Sequence, residues 1–317
     1  MPVTITAGIT FSGGGLTMAF APPQNTAGWY AGGGGASPIS SAFSTISRVT
    51  FATDTATSTV RGPLSSARYG MGGAGNNTAG WFVNGNGPVS TVDRITFATD
   101  TATASSRGPM ALAIFALAGV SNDTDGWFAG GGGGGIRSAV QRITFATDTA
   151  TASLRGTLNT PTYYLAGVTD STTYGWFGGG FPGTDLSTVQ RITYATDTAS
   201  ASLRGPLNSG ISDLAGIGNN TDGWFAGGRN PGLKSLVQRI TYATDTATAS
   251  VRGPLSLARR NIAASGNSTD GWFGGGYAGP IVSTVDRITY ATDTATASVR
   301  GSLSSTVFNE SATSGIQ

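Results

Sequence analysis

The chain has 317 residues, a net charge of +2, only 11% charged residues, and neither cysteine nor histidine. That excludes a disulfide framework, thiolate chemistry, and the commonest general base and metal ligand, and no Lys/Arg run forms a patch for nucleic acid. Its 50 glycines alternate with Thr, Ser, Val, Ile and aromatics, while Lys234 and Glu310 are the sole residues of their types; this is the makeup of strands and tight turns, not helices.

In chain order, the start "MPVTITAGITFSGGG" lacks the basic and apolar regions of a signal peptide. No apolar run approaches the ~20 residues of a membrane helix. Residues 1–15 are expected to be a leader or accessory strand. Thereafter one phrase recurs. An arginine returns at Arg48, Arg94, Arg142, Arg191, Arg239 and Arg287, and a tryptophan at Trp29, Trp81, Trp127, Trp176, Trp224 and Trp272. Self-similarity at this period is the mark of propellers and solenoids.

Within the sixth unit, "NIAASG" (261–266) predicts a small inner strand, "NSTDG" a turn and "WFGGG" (272–276) a second strand. "VDRITYA" (285–291) and "TASVRG" (296–301) then make a hairpin around "TDT". In the preceding unit, burial of one apolar face sets Ile240 opposite Val251 and Tyr242 opposite Ala249. Four strands in six copies predict an all-β, six-bladed propeller over residues 16–306, built from four-stranded antiparallel blades. An open solenoid would need atypical polar end repeats. The segment 16–30 is expected to supply the inner strand of the first blade. Residues 307–317 remain as a tail or alternative closing strand, because Glu310 falls where other copies carry Ile262, Leu214 or Leu117.

The pattern "AASG…GWFGGG…STVDRITYATDTAT…VRGPL" resembles the kelch repeat, apart from the tryptophan, which stands in the second strand here instead of the last. That resemblance implies a propeller that binds through its loop face. The near-identical copies behind "ITAGITFSGGG" are also similar in texture to repeat-rich virion proteins of tailed bacteriophages.

Two connections change little: "ATDTA" recurs in all six copies and "NNTDGW", with small variation, in four; the other two differ in every copy. Strand alternation puts the constant pair on one face of the disc and the variable pair on the other, which is how binding surfaces are commonly built. The candidate binding residues are therefore Arg68, Tyr69, Phe115, Arg137, Tyr163, Tyr164, Phe181, Asp213, Arg229, Lys234, Arg259, Arg260 and Tyr277, rich in the Tyr and Arg that carry interface energy. The twelve repeated arginines are read as inter-blade partners of the turn aspartates (Asp54, Asp100, Asp148, Asp197, Asp245, Asp293), and the tryptophans as blade packing. "NDTDG" (122–126) reads as a turn, not a calcium loop.

No catalytic constellation, metal site or cofactor motif emerges. The glycine runs lack the lysine and helix of a phosphate loop. The expected function is that of a non-enzymatic phage structural or adhesion protein within a larger assembly. It would bind other virion proteins, or a host surface glycan or protein, without nucleic acid or membrane insertion. The alternatives are a cytoplasmic kelch-like interaction module and a lectin propeller.

Overall fold

A computed structural model describes residues 8–12, 15–19, 26–35 and 41–314. Six four-stranded antiparallel sheets form a ring, so the expected six-bladed propeller is the fold. Blade 2 shows the plan: Gly72–Gly75 innermost, then Ala79–Val83, Val92–Thr96 and Ser105–Ser106 at the rim. The inner strands of blades 3 to 6 are Ala118–Ser121, Ala166–Thr169, Ala215–Gly218 and Ala263–Gly266, each against the next around a narrow channel. Small residues are obligatory here. A Cβ added to Gly119 would run into the backbone carbonyl of Gly73 one blade away.

The first blade corrects the expected closure. Its inner strand is Ser311–Ser314, paired antiparallel with Ala27–Ala31 through Ser311↔Ala31 and Thr313↔Trp29. Residues 15–19 instead pair with Gly8–Ser12 in a separate two-stranded hairpin; the remainder of 1–25 lies outside the described residues. Glu310 accordingly occupies the position of Met71, Leu117, Leu165, Leu214 and Ile262, each immediately before an inner strand. It is buried, and its Oε1 has no hydrogen-bond partner. Burial pushes its carboxyl well above the usual range, only partly opposed by the nearby Arg259.

Such a group favours the fold only while protonated. That stability is present below the ordinary carboxylate value and drains away as pH climbs toward the raised one. Glu310→Leu, which restores the residue found in three other blades, is therefore expected to raise the melting temperature by several degrees at pH 8. Differential scanning calorimetry should show the gap over wild type narrowing as pH falls toward about 4.5.

The repeated phrase itself is an inter-blade clasp. "FATDT" and "YATDT" do not form a plain hairpin loop; their first three residues make one 3₁₀ turn, as at Phe97–Thr99. Residues three apart eclipse on such a turn, so Phe97 and Asp100 present ring and carboxylate on the same side. Both meet Trp29 of the preceding blade. The rings stack with centroids 3.9 Å apart, and the indole Nε1 donates to Asp100 Oδ2 at 2.8 Å. Arg48 Nη1 reaches the same oxygen at 3.2 Å and Arg61 Nε lies 3.4 Å from it. The clasp recurs around the ring on Asp148, Asp197, Asp245, Asp293 and finally Asp54, which receives Trp272, Arg287 and Arg300. Each blade thus buries an aromatic pair against its neighbour and pairs the buried turn carboxylate with two arginines of that neighbour. The arginines and tryptophans serve as the sequence predicts.

The 3₁₀ turn also shifts the outer hairpin. Gln238 faces Val251 and Arg239 faces Ser250, two residues away from the expected Ile240–Val251 register. Because the slip is even, each side chain stays on its face. Ile240 and Ala249 remain buried, while Val251 at the rim is half exposed. The first turn differs too: Asp270 and Gly271 already belong to the second strand, Asp270–Gly274. Asn267 makes the turn, its Oδ1 accepting from the backbone N–H of Thr269 and Asp270, each at 2.9 Å.

Candidate functional site: the collar and mouth on the variable face

The variable connections interlock on one face. Each loop between second and third strands leaves its strand through left-handed residues, such as Gly130 (φ 72°) and Gly131 (φ 99°). The second then donates to the connection entering the next blade, Gly131 N to Thr162 O at 2.8 Å. Short bridges such as Ser212↔Arg229 and Arg260↔Tyr277 join the two kinds of loop within a blade.

At the centre lies a feature the sequence did not announce. Gly70, Ala116, Tyr164, Asp213, Asn261 and Asn309, each two residues before an inner strand, all have φ between 53° and 65°. Each N–H donates to the carbonyl of the equivalent residue in the preceding blade, at 2.7–3.0 Å. The last of these bonds, Gly70 N to Asn309 O, closes the collar. For Ala, Tyr and Asp this backbone conformation carries strain, and such strain concentrates where side chains are aimed for a purpose.

The collar rims a cavity of about 470 Å³, within the range of small-ligand sites. One arc of its wall is aromatic: Tyr69, Phe115, Tyr164 and Phe308. The other is polar: Asp213, Arg229, Arg260, Asn261 and Asn309, with Asn86 at the rim. Asp213 is buried and holds the polar arc together. Its Oδ2 lies 2.9 Å from Arg229 Nε and 3.5 Å from Arg260 Nη1, and its Oδ1 accepts from Asn261 Nδ2 at 3.0 Å. Burial raises its pKa, opposed by the two guanidinium groups. Burial, with help from the Asp213 charge, pushes the Tyr164 hydroxyl up to about 12, so it remains a hydrogen-bond donor at neutral pH.

Six of the sequence-predicted residues meet in this mouth: Tyr69, Phe115, Tyr164, Asp213, Arg229 and Arg260. Tyr163 and Phe181 stand behind it. Tyr163 packs on Tyr164 with ring centroids 4.6 Å apart and meets Phe181 edge-on at 6.2 Å, and the Arg229 guanidinium lies 5.0 Å above Phe181. Tyr277 supports Arg260 in the same manner at 5.4 Å. Arg137 is exposed and bonded to its own loop, Nη2 to Gly133 O at 2.6 Å, and Lys234 takes part through its backbone.

Arg68 and Arg259 do not belong to the surface, and this corrects their expected role. Both are buried, 3% and 0% exposed. Arg68 Nη2 is paired with Asp93 Oδ2 at 2.7 Å, and Arg259 Nη1 with Asp286 Oδ2 at 2.9 Å. Other blades carry Gln141, Gln190 and Gln238 at the aspartate position, whose amide oxygens accept from the connection backbone. The signal was in the sequence. "AR" occurs in a connection only where the following third strand reads "VDR" and not "VQR". Lining residues outside the sequence prediction include Asn86 and Asn261, which sit in the variable connections beside predicted residues, and Phe308 and Asn309, which lie in the segment read as a tail or alternative closing strand; aligning "VFNES" with "YG" (69–70) brings the last two to the mouth.

No protein-family model and no curated protein matches the chain. Among the described residues, no helix is long and apolar enough to cross a membrane.

Proposed function

We propose that this propeller is a non-enzymatic display module that binds a partner protein or surface glycan through its variable face, as an adhesion or structural component of a tailed-bacteriophage virion. The observation carrying this reading is the strained collar, which turns Tyr164, Asp213, Asn261 and Asn309 into one mouth at the centre of the face whose connections differ in every blade. A purely structural disc has no need to diversify one face while holding the other constant. The kelch-like order of strands and glycines, and the virion-like texture of the repeats, support the binding and particle parts of the reading respectively. Nothing in the mouth pairs a nucleophile with a free base, so no reaction is assigned.

Binding to a glycan array, lost on Tyr164→Ala and weakened on Tyr163→Ala with the fold intact by circular dichroism, is the expected result. Intact chain in purified particles, detected by mass spectrometry, supports the virion assignment. Its confinement to the cytoplasm, with a peptide ligand, would replace that assignment with an intracellular interaction module.

A further inference from the structure

Resting on the loop-face reading, we propose that the central mouth binds an acidic glycan, with the carboxylate of a uronic- or sialic-type sugar held by Arg229 and Arg260 and the sugar ring laid against the aromatic arc. Two guanidinium groups contact one carboxylate in the mouth, Asp213, and each carries further N–H groups beyond that ion pair. Beyond these ion pairs, the buried Nε atoms of both guanidinium groups have no hydrogen-bond partner among the described residues. Their side chains are about 30% exposed. Each fork is kept flat by the ring beneath it, Phe181 or Tyr277, which leaves the remaining N–H groups free for bidentate recognition of a carboxylate.

The rest of the mouth suits a sugar better than an acidic peptide. Asn86, Asn261 and Asn309 offer amides that both donate and accept, as hydroxyl groups require. The Tyr69, Phe115 and Tyr164 side chains provide apolar walls, and the two tyrosines add polar hydroxyl tips. The cavity ends on the collar, whose backbone N–H groups and carbonyls are already paired with one another. It therefore offers no strand edge along which a peptide could lie.

The test is calorimetric titration of the full chain with oligo-glucuronate fragments, the same fragments after carboxyl reduction, and oligo-glutamate peptide. Binding of the acidic sugar is expected to weaken about tenfold or more on carboxyl reduction, and equally on Arg229→Gln or Arg260→Gln with the fold intact by circular dichroism. It should also weaken as salt rises. Equal affinity for reduced and unreduced fragments, indifference to both arginine variants, tighter binding of oligo-glutamate, or no binding of any acidic sugar would each overturn the proposal. Array or particle binding that survives both arginine variants but is lost on Tyr164→Ala leaves the loop-face reading standing while this inference fails. Binding insensitive to every mouth variant removes both.

Discussion

A chain shortened to end at residue 310 is expected to lose its cooperative fold at physiological temperature, or to melt on the order of 10 °C below wild type. Deleting Ser311–Ser314 strips the inner strand from blade 1 and leaves the edge of Ala27–Ala31 unpaired, with Trp29 and Tyr30 behind it. It also removes the strand that bridges the inner strands of blades 2 and 6, so the ring opens on both sides. Exposed apolar strand edges of this kind pair with other molecules. The shortened chain should therefore aggregate, and a synthetic peptide spanning residues 305–317 should restore the melting transition when added in trans. A shortened chain that melts like wild type would show that another segment closes the ring.

The second large effect concerns the buried pair at the entry to blade 6. Asp286→Gln or Arg259→Ile alone leaves an uncompensated charge in a site that excludes water, at a cost of about 3–5 kcal/mol. The two together reproduce the arrangement of blade 5. There Ile211 and Gln238 stand at the same positions, and the Gln238 oxygen accepts from Ser209 N. The double variant is expected to return to within about 1 kcal/mol of wild type, giving a strongly favourable coupling in a double-mutant cycle followed by urea unfolding. Additive losses would mean that Arg259 matters chiefly through its second bond, Nη2 to the Phe273 carbonyl, and not through its charge.

These two cases also mark where sequence reasoning stops. The blade count, the Arg–Asp pairing between blades, the packing role of the tryptophans and the division into constant and variable faces are legible in the sequence, because six copies average out local irregularity; the hydrogen bond from each indole to the turn aspartate is not. The closing strand does not follow. Its polar, glutamate-bearing sequence contradicts the apolar pattern of its five counterparts, and only the pairing with Ala27–Ala31 shows it in place. The outer register lies two residues from the one the sequence predicts because a 3₁₀ turn consumes residues that a tight hairpin would leave in the strands. Arg68 and Arg259 read as surface anchors in the sequence because they stand at variable positions, yet both are buried. A varying residue can equally be half of an internal pair, and the matching change from Gln to Asp in the next strand is the trace of that pairing. The collar left no trace, since glycine, alanine, tyrosine, aspartate and asparagine all adopt its backbone conformation there.

Because the chain has no cysteine, single cysteines can be placed and capped with a bulky polymer one face at a time. Thr184 is an exposed position on the variable face and Asn220 an exposed one in a constant turn. Capping Thr184→Cys should abolish binding to an immobilised glycan array, whereas capping Asn220→Cys should leave it unchanged. Loss of binding from the constant-turn side, with the variable side indifferent, would contradict the assignment of the binding face.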